Sequence, residues 1–242
     1  MRSKPFIFSI GKIAALAAIS SLIACGTDSE PLPTLNFDRP TDMAFACYGD
    51  LRVSGNVSGS AQPLSSCQGH EDDNVPAGQE GVVAPSFYGF VLQPSRGTVA
   101  VVHVPSLGVV DNDPLTPGLN DIPVGSLPVG IVGDSSGCFM VTANSGSCDL
   151  SSVDVSSVIN KSRSAVVTRS PLTSPAGDRL LVKPRSIATG TQIAEIGNAC
   201  PERPTGKVYV SYPDCKMVAA VDPGTGEVLS ALVFRDDGAV EI

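Results

Sequence analysis

The sequence has no tryptophan, only two histidines and an aromatic content of 5%. A carbohydrate-stacking surface or an aromatic cage for a quaternary ammonium group depends on aromatic rings, so their scarcity argues against both. The chain also lacks a GxGxxG fingerprint, a Walker loop, an HExxH motif and paired CxxC motifs, which argues against the cofactor and zinc sites built on them. It has no block of basic residues and a formal net charge of −8, so we expect no nucleic acid partner.

The N-terminus has the composition of an export signal. Arg2, Lys4 and Lys12 are followed by residues 13–24, which are only Ile, Ala, Leu and Ser. As a helix this run would span about 18 Å at ~1.5 Å per residue, well short of the ~30 Å hydrocarbon core of a bilayer. We therefore predict a signal peptide over residues 1–24 rather than a membrane-spanning anchor.

The end of this segment, Leu22-Ile23-Ala24-Cys25, resembles the lipobox of bacterial lipoproteins. The resemblance implies cleavage before Cys25 and lipidation of that cysteine by a diacylglycerol and a palmitate-type acyl chain. Two or three chains hold a protein stably at a membrane, whereas one chain is marginal. Gly26, in place of Asp, favours the outer membrane, at its periplasmic face or the cell surface. The lipobox resemblance further implies that residues 25–37 are the lipidated cysteine and a flexible linker before a domain at 38–242. The alternative is an ordinary secretory signal with a chance cysteine.

Besides Cys25, an even number of cysteines remains, which in an exported protein predicts disulfides. The set of disulfide candidates is Cys47, Cys67, Cys138, Cys148, Cys200 and Cys215. A structural metal site is the competing interpretation, but the spacing is not of the CxxC type. Six cysteines permit fifteen pairings, so the fold must select among them.

The domain is predicted to be all-β. Short apolar and β-branched runs alternate with turn sequences that contain Gly, Pro, Asn and Asp, and no segment has a sustained helical period. The runs are Phe87–Leu92, Thr98–Val104, Met140–Ala143, Val208–Tyr212, Met217–Val221 and Val228–Phe234.

One stretch carries a repeat. Ile122-Pro-Val-Gly-Ser-Leu-Pro128-Val-Gly-Ile131, followed by Asp134-Ser-Ser-Gly137, Val141-Thr-Ala-Asn144 and Val153-Asp154, resembles the YVTN-type repeat of β-propellers. Weaker copies begin near Pro40 and Pro184. The resemblance implies a partial β-propeller of about three four-stranded antiparallel blades, approximately 38–121, 122–182 and 183–242. Long insertions would occupy residues 48–86, 111–121 and 191–206.

Three blades are fewer than the roughly four to eight that close a propeller. Three explanations stay open: the chain is part of a longer propeller, it closes with another copy, or a further blade lies inside an insertion.

The predicted blade geometry favours some cysteine pairings over others. Cys138 and Cys148 flank one predicted strand, and six extended residues separate Cα atoms by about 20 Å, whereas a disulfide needs about 7 Å or less. Cys148 and Cys215 fall in equivalent turns of neighbouring blades, so a bridge between blades can form there. Cys138 and Cys200 would then meet at the other end, and Cys47 with Cys67 would staple the first insertion. A competing set pairs Cys200 with Cys215.

Gly133-Asp134-Ser135-Ser136-Gly137 fits the GxSxG pattern. A hydrolase elbow needs a helix after the serine and a base beside it. Here a strand is predicted to follow, and the only histidines are His70 and His103. His103 aligns with Asp154 and Asp222 at the end of the third strand of a blade, where turn and cap hydrogen bonds are expected.

Two acidic loops are candidates for calcium, which binds six to eight oxygen ligands on flexible loops. One is His70-Glu71-Asp72-Asp73-Asn74, and the other contains Asp111 and Asp113, with Asn120-Asp121 nearby. Neither has EF-hand spacing, and solvated acidic loops are the alternative. No other cofactor is expected.

The leading hypothesis from the sequence is a non-enzymatic cell-envelope lipoprotein whose propeller-like domain binds a protein or a small ligand and whose lipid binds the membrane. The alternative is a propeller-type hydrolase or lactonase that uses a metal and carboxylates. Fold resemblance alone cannot choose between them.

Overall fold

The structure, a computed structural model, describes residues 37–53, 56–62, 67, 85–113, 115–159, 168–190, 200–235 and 238–241. They lie within one compact unit, Phe37–Ile242. Almost all of the regular structure is antiparallel β-strand, arranged as three sheets in chain order, and the protein is a partial β-propeller. The prediction of an all-β fold with three blades is therefore confirmed.

The first sheet contains β1 (Asp42–Val53), β2 (Asn56–Gln62), β3 (Ser86–Gln93), β4 (Thr98–His103), β5 (Gly108–Val110) and β6 (Ile122–Pro123). The strand order is β2-β1-β3-β4-β5, and β6 also pairs with β4. The prediction of a loop over residues 48–86 was wrong in its first part, because β1 continues to Val53 and returns as β2. The β2 segment, NVSGSAQ, contains few apolar residues, so its sequence pattern does not predict a strand. Pairing with β1 nevertheless satisfies its backbone hydrogen-bonding groups.

The outer strand of the first sheet is interrupted. Val101 pairs with Val110 and Val99 pairs with Ile122. A continuous strand would have a single residue between Val110 and Ile122, opposite residue 100, but here residues 111–121 form a loop at that position. Ile122 and Pro123, placed by the sequence at the start of the second repeat, therefore hydrogen-bond to the first sheet. The second sheet begins at Pro128.

The second sheet has the order β10-β9-β8-β7, with β7 (Pro128–Gly133), β8 (Phe139–Asn144), β9 (Asp149–Asp154) and β10 (Thr168–Pro171). A short helix, α1 (Val155–Ile159), follows β9. All six residues of β8 are buried because the sheet lies between the other two. Met140 packs in the cluster shared with the first sheet, and Val141 packs in the cluster shared with the third, as the alternation of side chains along a strand requires.

The third sheet has the order β11-β12-β13-β14-β15. Its strands are β11 (Ser186–Thr189), β12 (Val208–Tyr212), β13 (Met217–Val221), β14 (Val228–Arg235) and β15 (Gly238–Glu241), and a 3-10 helix, Pro213–Cys215, connects β12 to β13. The fifth strand, β15, pairs with β14 beyond the predicted four-stranded blade. One face of β12 carries Val208, Val210 and Tyr212 into the core shared with the second sheet, while Tyr209 on the other face is exposed.

The first strands of the three blades, β1, β7 and β11, lie side by side, with β7 in the middle. Asp42 of β1 accepts a hydrogen bond on Oδ2 from the Ile131 backbone N–H of β7 at 3.0 Å. Gly130 of β7 is buried between the neighbouring strands, and a Cβ atom there would lie 2.9 Å from Cγ2 of Ile187. The absence of a side chain at Gly130 therefore permits the close approach of the three blades.

Candidate functional site

Three connections begin and end at the same end of the domain, which we call the insertion end. Alternate connections of an antiparallel sheet lie at opposite ends. The connections from β1 to β3, from β9 to β10 and from β11 to β12 are therefore on the same side of their sheets. The α1 helix lies beside β2, and the β7–β8 turn is bonded to Cys200 of the β11–β12 connection. The opposite end has tight turns at residues 94–97, 145–148 and 213–216, together with the longer connection from β10 to β11 at residues 172–185.

Two disulfides brace the insertion end. Cys47 is bonded to Cys67 and Cys138 to Cys200, each with a Cα–Cα distance of 5.7 Å. Phe139 packs against the second bond. Both pairings match the set that blade geometry favoured. The remaining two candidates, Cys148 and Cys215, are thiols in this structure, so the third predicted bridge is not formed here.

A buried carboxylate connects the second and third blades at the same end. Asp134 in the β7–β8 turn is fully buried, and its Oδ1 accepts the Phe139 N–H at 3.1 Å. Its Oδ2 accepts the Ser136 hydroxyl at 2.7 Å and the Thr205 N–H at 2.9 Å. Each of these hydrogen bonds compensates for removing the charge from water. Asp134 therefore holds the β11–β12 connection against the β7–β8 turn.

The same segment settles the GxSxG pattern. Ser135 Oγ lies 3.0 Å from Thr205 Oγ1, and strand β8, not a helix, follows the turn. His103, the histidine within the described residues, has its Nδ1 2.7 Å from Ser106 Oγ in another turn. The serine thus occupies a hairpin turn of the second blade, next to Thr205 of the third, rather than a nucleophile elbow.

The repeat positions at the ends of third strands stabilise turns, as predicted. Asp154 Oδ1 accepts the Ser156 N–H at 2.9 Å at the start of α1, and Asp222 Oδ1 accepts the Gly224 N–H at 2.7 Å. The contact between His103 and Ser106 occurs in the equivalent turn of the first blade. Hydrogen bonding of this local kind explains these residues without a catalytic role.

The calcium candidates Asp111 and Asp113 lie in the loop that interrupts the first outer strand. Asp111 Oδ1 accepts the Asp113 and Asn120 backbone N–H groups at 3.1 Å each, and Asp113 Oδ2 accepts the Thr116 hydroxyl at 2.7 Å. Within the described ranges, no three His, Cys, Asp or Glu side chains come together as a metal site would need. Calcium binding at this loop stays a prediction.

Sequence reasoning missed two features of the loop that contains Asp111 and Asp113. Asp121 at the end of the same loop accepts the Gln93 side-chain amide at 2.7 Å and lies 3.8 Å from the Arg96 guanidinium. Leu115 and Leu119 on the loop are 68% and 64% exposed. The sequence could have indicated the exposed leucines, because the prolines and the glycine around them predict a loop, and a loop has no strand face on which to bury them.

Some predicted features lie outside the described residues: the signal peptide, the lipobox with Cys25, and the acidic segment from His70 to Asn74. No helix among the described residues combines the length and the apolar character that crossing a bilayer requires.

No protein-family model and no curated protein matches the chain. Among solved structures, it is similar to the dihydro-heme d1 dehydrogenase NirN in complex with DHE, with 12% identity, a TM-score of 0.38 and coverage of 57% of this chain and 24% of that one. It is also similar to hydrazine synthase of Kuenenia stuttgartiensis (15% identity, TM-score 0.38, coverage 64% and 42%). A third is glutaminyl cyclase of Myxococcus xanthus (11% identity, TM-score 0.34, coverage 78% and 76%).

The chain thus spans about a quarter of the length of the first of these proteins and about two fifths of the second. A likeness of this extent carries no argument about function. The fold assignment rests on the strand pairing described above.

Proposed function

We propose that this protein is a lipoprotein of the bacterial cell envelope, anchored through Cys25, and that its insertion end binds a protein partner. The observation that carries the proposal is the location of both disulfides at one end of the blades, the end at which the β1–β3, β9–β10 and β11–β12 connections begin and end. Disulfides persist in oxidising compartments, which indicates an extracytoplasmic protein.

The construction of the insertion end supports binding. Recognition residues are commonly carried on loops that a rigid scaffold positions. Here the Cys138–Cys200 bond and the Asp134 carboxylate hold Cys200 and Thr205 of the β11–β12 connection against the neighbouring blade, so this part of the connection would lose little conformational entropy on binding.

The anchor is tested by replacing Cys25 with alanine in the full chain. With a radiolabelled fatty acid in growing cells, we expect the wild type to incorporate label and to sediment with membranes, and Cys25→Ala to do neither. Cys215→Ala is the matched control, because Cys215 is an exposed cysteine of the domain and its loss should leave labelling unchanged. A Cys25→Ala protein that stays labelled and membrane-bound would contradict the anchor.

The binding surface is tested by a photo-crosslinking amino acid placed at either end. Glu202, in the β11–β12 connection, and Asp214, in the β12–β13 turn, are both exposed acidic residues. Irradiation of intact cells should give a discrete higher-mass adduct from position 202 and none from position 214. Equal adducts from both positions, or adducts from 214 alone, would contradict the assignment of the insertion end. Turnover of a lactone by the purified protein, abolished in Asp111→Asn, would instead support the hydrolase alternative.

A further inference from the structure

Tyr212, the last residue of β12, has a buried hydroxyl group without a hydrogen-bond partner. The residue is 1% exposed, and its hydroxyl oxygen is the buried side-chain polar atom without a partner among the described residues. Tyr212 belongs to the buried cluster that also contains Val141 and Leu150 of the second blade, so its side chain lies at the junction between the second and third blades. An unsatisfied buried hydroxyl destabilises the folded state, and each case in a native structure needs an explanation.

Two thiols lie in turns next to this junction. Cys148 is two residues before Leu150 and Cys215 is three residues after Tyr212, and Leu150 and Tyr212 belong to the buried cluster shared by the two blades. Burial also raises the pKa of Tyr212 far above its usual value. The two thiols come from different blades, since Cys148 ends the β8–β9 turn and Cys215 ends the 3-10 helix between β12 and β13.

The backbone on both sides is a tight turn at the end of the domain opposite the insertion end. Cys148 has a positive φ of 54°, and Lys216, which follows Cys215, has a φ of 48°. Cys148 is half-buried and Cys215 is exposed, so a reagent in solution can reach the pair. The Cys148 thiol donates a weak hydrogen bond to the Ser145 carbonyl oxygen at a distance of 3.8 Å.

We propose that Cys148 and Cys215 form a third disulfide, which joins the second and third blades over the Tyr212 hydroxyl. The two thiols give up two protons and two electrons as the S–S bond forms. The oxidant is a disulfide compound, such as oxidised glutathione or a thiol–disulfide oxidoreductase, which is itself reduced to two thiols.

This bond would complement the one already present. Cys138–Cys200 joins the same two blades at the insertion end, so the new bond would fix their junction at both ends. The inference needs the oxidising compartment that the existing disulfides indicate, and it does not depend on the lipid anchor or on a binding partner.

Tryptic mapping of the full chain tests the pairing directly. Lys207 and Lys216 bound a peptide, residues 208–216, whose only cysteine is Cys215. Residues 97–161 contain Cys138 and Cys148, and residues 186–207 contain Cys200. After equilibration in a glutathione redox buffer, alkylation and digestion without reductant, we expect all three peptides in one disulfide-linked species and peptide 208–216 to be released only by reduction.

Cys148→Ser is the matched variant, because serine in a surface turn leaves the fold intact. In it, peptide 208–216 should appear free, with Cys215 alkylated, while Cys138 stays bonded to Cys200. Three results would overturn the proposal: free alkylated 208–216 from the oxidised wild type, a bond from Cys215 to Cys200, or a bond from Cys215 that survives in Cys148→Ser. As a second measurement, the oxidised wild type should unfold at a higher urea concentration than Cys148→Ser, and an equal midpoint would count against a bond between the blades.

Discussion

Replacing Gly130 with alanine should destabilise the junction of the three blades. The added Cβ atom would lie 2.9 Å from Cγ2 of Ile187 and 3.5 Å from Oδ2 of Asp42. Ile187 is β-branched and has little freedom to rotate away. Overpacking of this kind costs ~1–3 kcal/mol. The alanine also restricts the unfolded chain, which stabilises the folded state by ~0.4–1 kcal/mol. We expect a net decrease of about 1–2 kcal/mol in the free energy of unfolding.

The measurement is urea unfolding followed by far-UV circular dichroism, since the chain has no tryptophan to report by fluorescence. Gly190→Ala is the control, because a Cβ atom at Gly190 would meet no atom within 4 Å. It should leave the stability unchanged or raise it slightly. Removing the opposing methyl group in the double variant Gly130→Ala/Ile187→Ala should relieve the clash, so the two changes should cost less together than the sum of their separate effects.

The reasoning would be refuted by a Gly130→Ala protein as stable as Gly190→Ala. It would also be refuted by strict additivity in the double variant, because the steric explanation requires Cγ2 of Ile187 to be the atom that the new methyl group meets.

Four further predictions concern other parts of the domain. Replacing both Cys138 and Cys200 with alanine should lower the free energy of unfolding by about 4 kcal/mol, because the bond closes a loop with a sequence separation of 62. A reductant should therefore destabilise the wild type more than this variant, and equal destabilisation of the two would contradict the prediction. Asp134→Ala should cost at least about 2 kcal/mol, since it leaves buried N–H donors without their acceptor, whereas Ser135→Ala should have little effect in the same unfolding assay. Because burial raises the pKa of Tyr212, its hydroxyl stays protonated to a higher pH in the folded state than in the unfolded chain. Ionisation of this tyrosine therefore leaves the free energy of unfolding unchanged below the unfolded pKa near 10 and lowers it as the pH rises above that value. Tyr212→Phe should match or exceed the wild type at pH 7 and lose less stability above pH ~10, and parallel pH profiles would refute the assignment. Titration calorimetry with calcium should give heat for the wild type and less for Asp111→Asn, and no heat at millimolar calcium would end the calcium hypothesis.

The strands were predictable because their signals are local. The runs Val208–Tyr212 and Met217–Val221 coincide with β12 and β13, since β-branched residues between turn sequences favour paired strands wherever the chain brings them. Local reasoning also disfavoured a Cys138–Cys148 bond, because a straight strand keeps these residues apart, but it left Cys200–Cys215 open as an alternative to the Cys138–Cys200 bond that the structure has.

Contacts distant in sequence were not predictable. Asp134 reads as a turn residue in the sequence, and its bond to the Thr205 N–H joins residues 71 apart. The Tyr212 hydroxyl is similar, because the strand pattern predicts a buried side chain but not which groups lie at its tip. The interrupted outer strand was missed for another reason: β5 and β6 are three and two residues long, too short to show a period.

The interrupted strand has a consequence for engineering. Because β5 and β6 each hydrogen-bond separately to β4, the sheet keeps its register whatever the length of the chain between them. Doubling a flexible loop costs only ~0.6 kcal/mol of closure entropy. The segment from Leu115 to Leu119, which is largely exposed, is therefore a permissive position for an epitope tag or a small guest domain. A fusion placed there would report on folding and export without disturbing the blades.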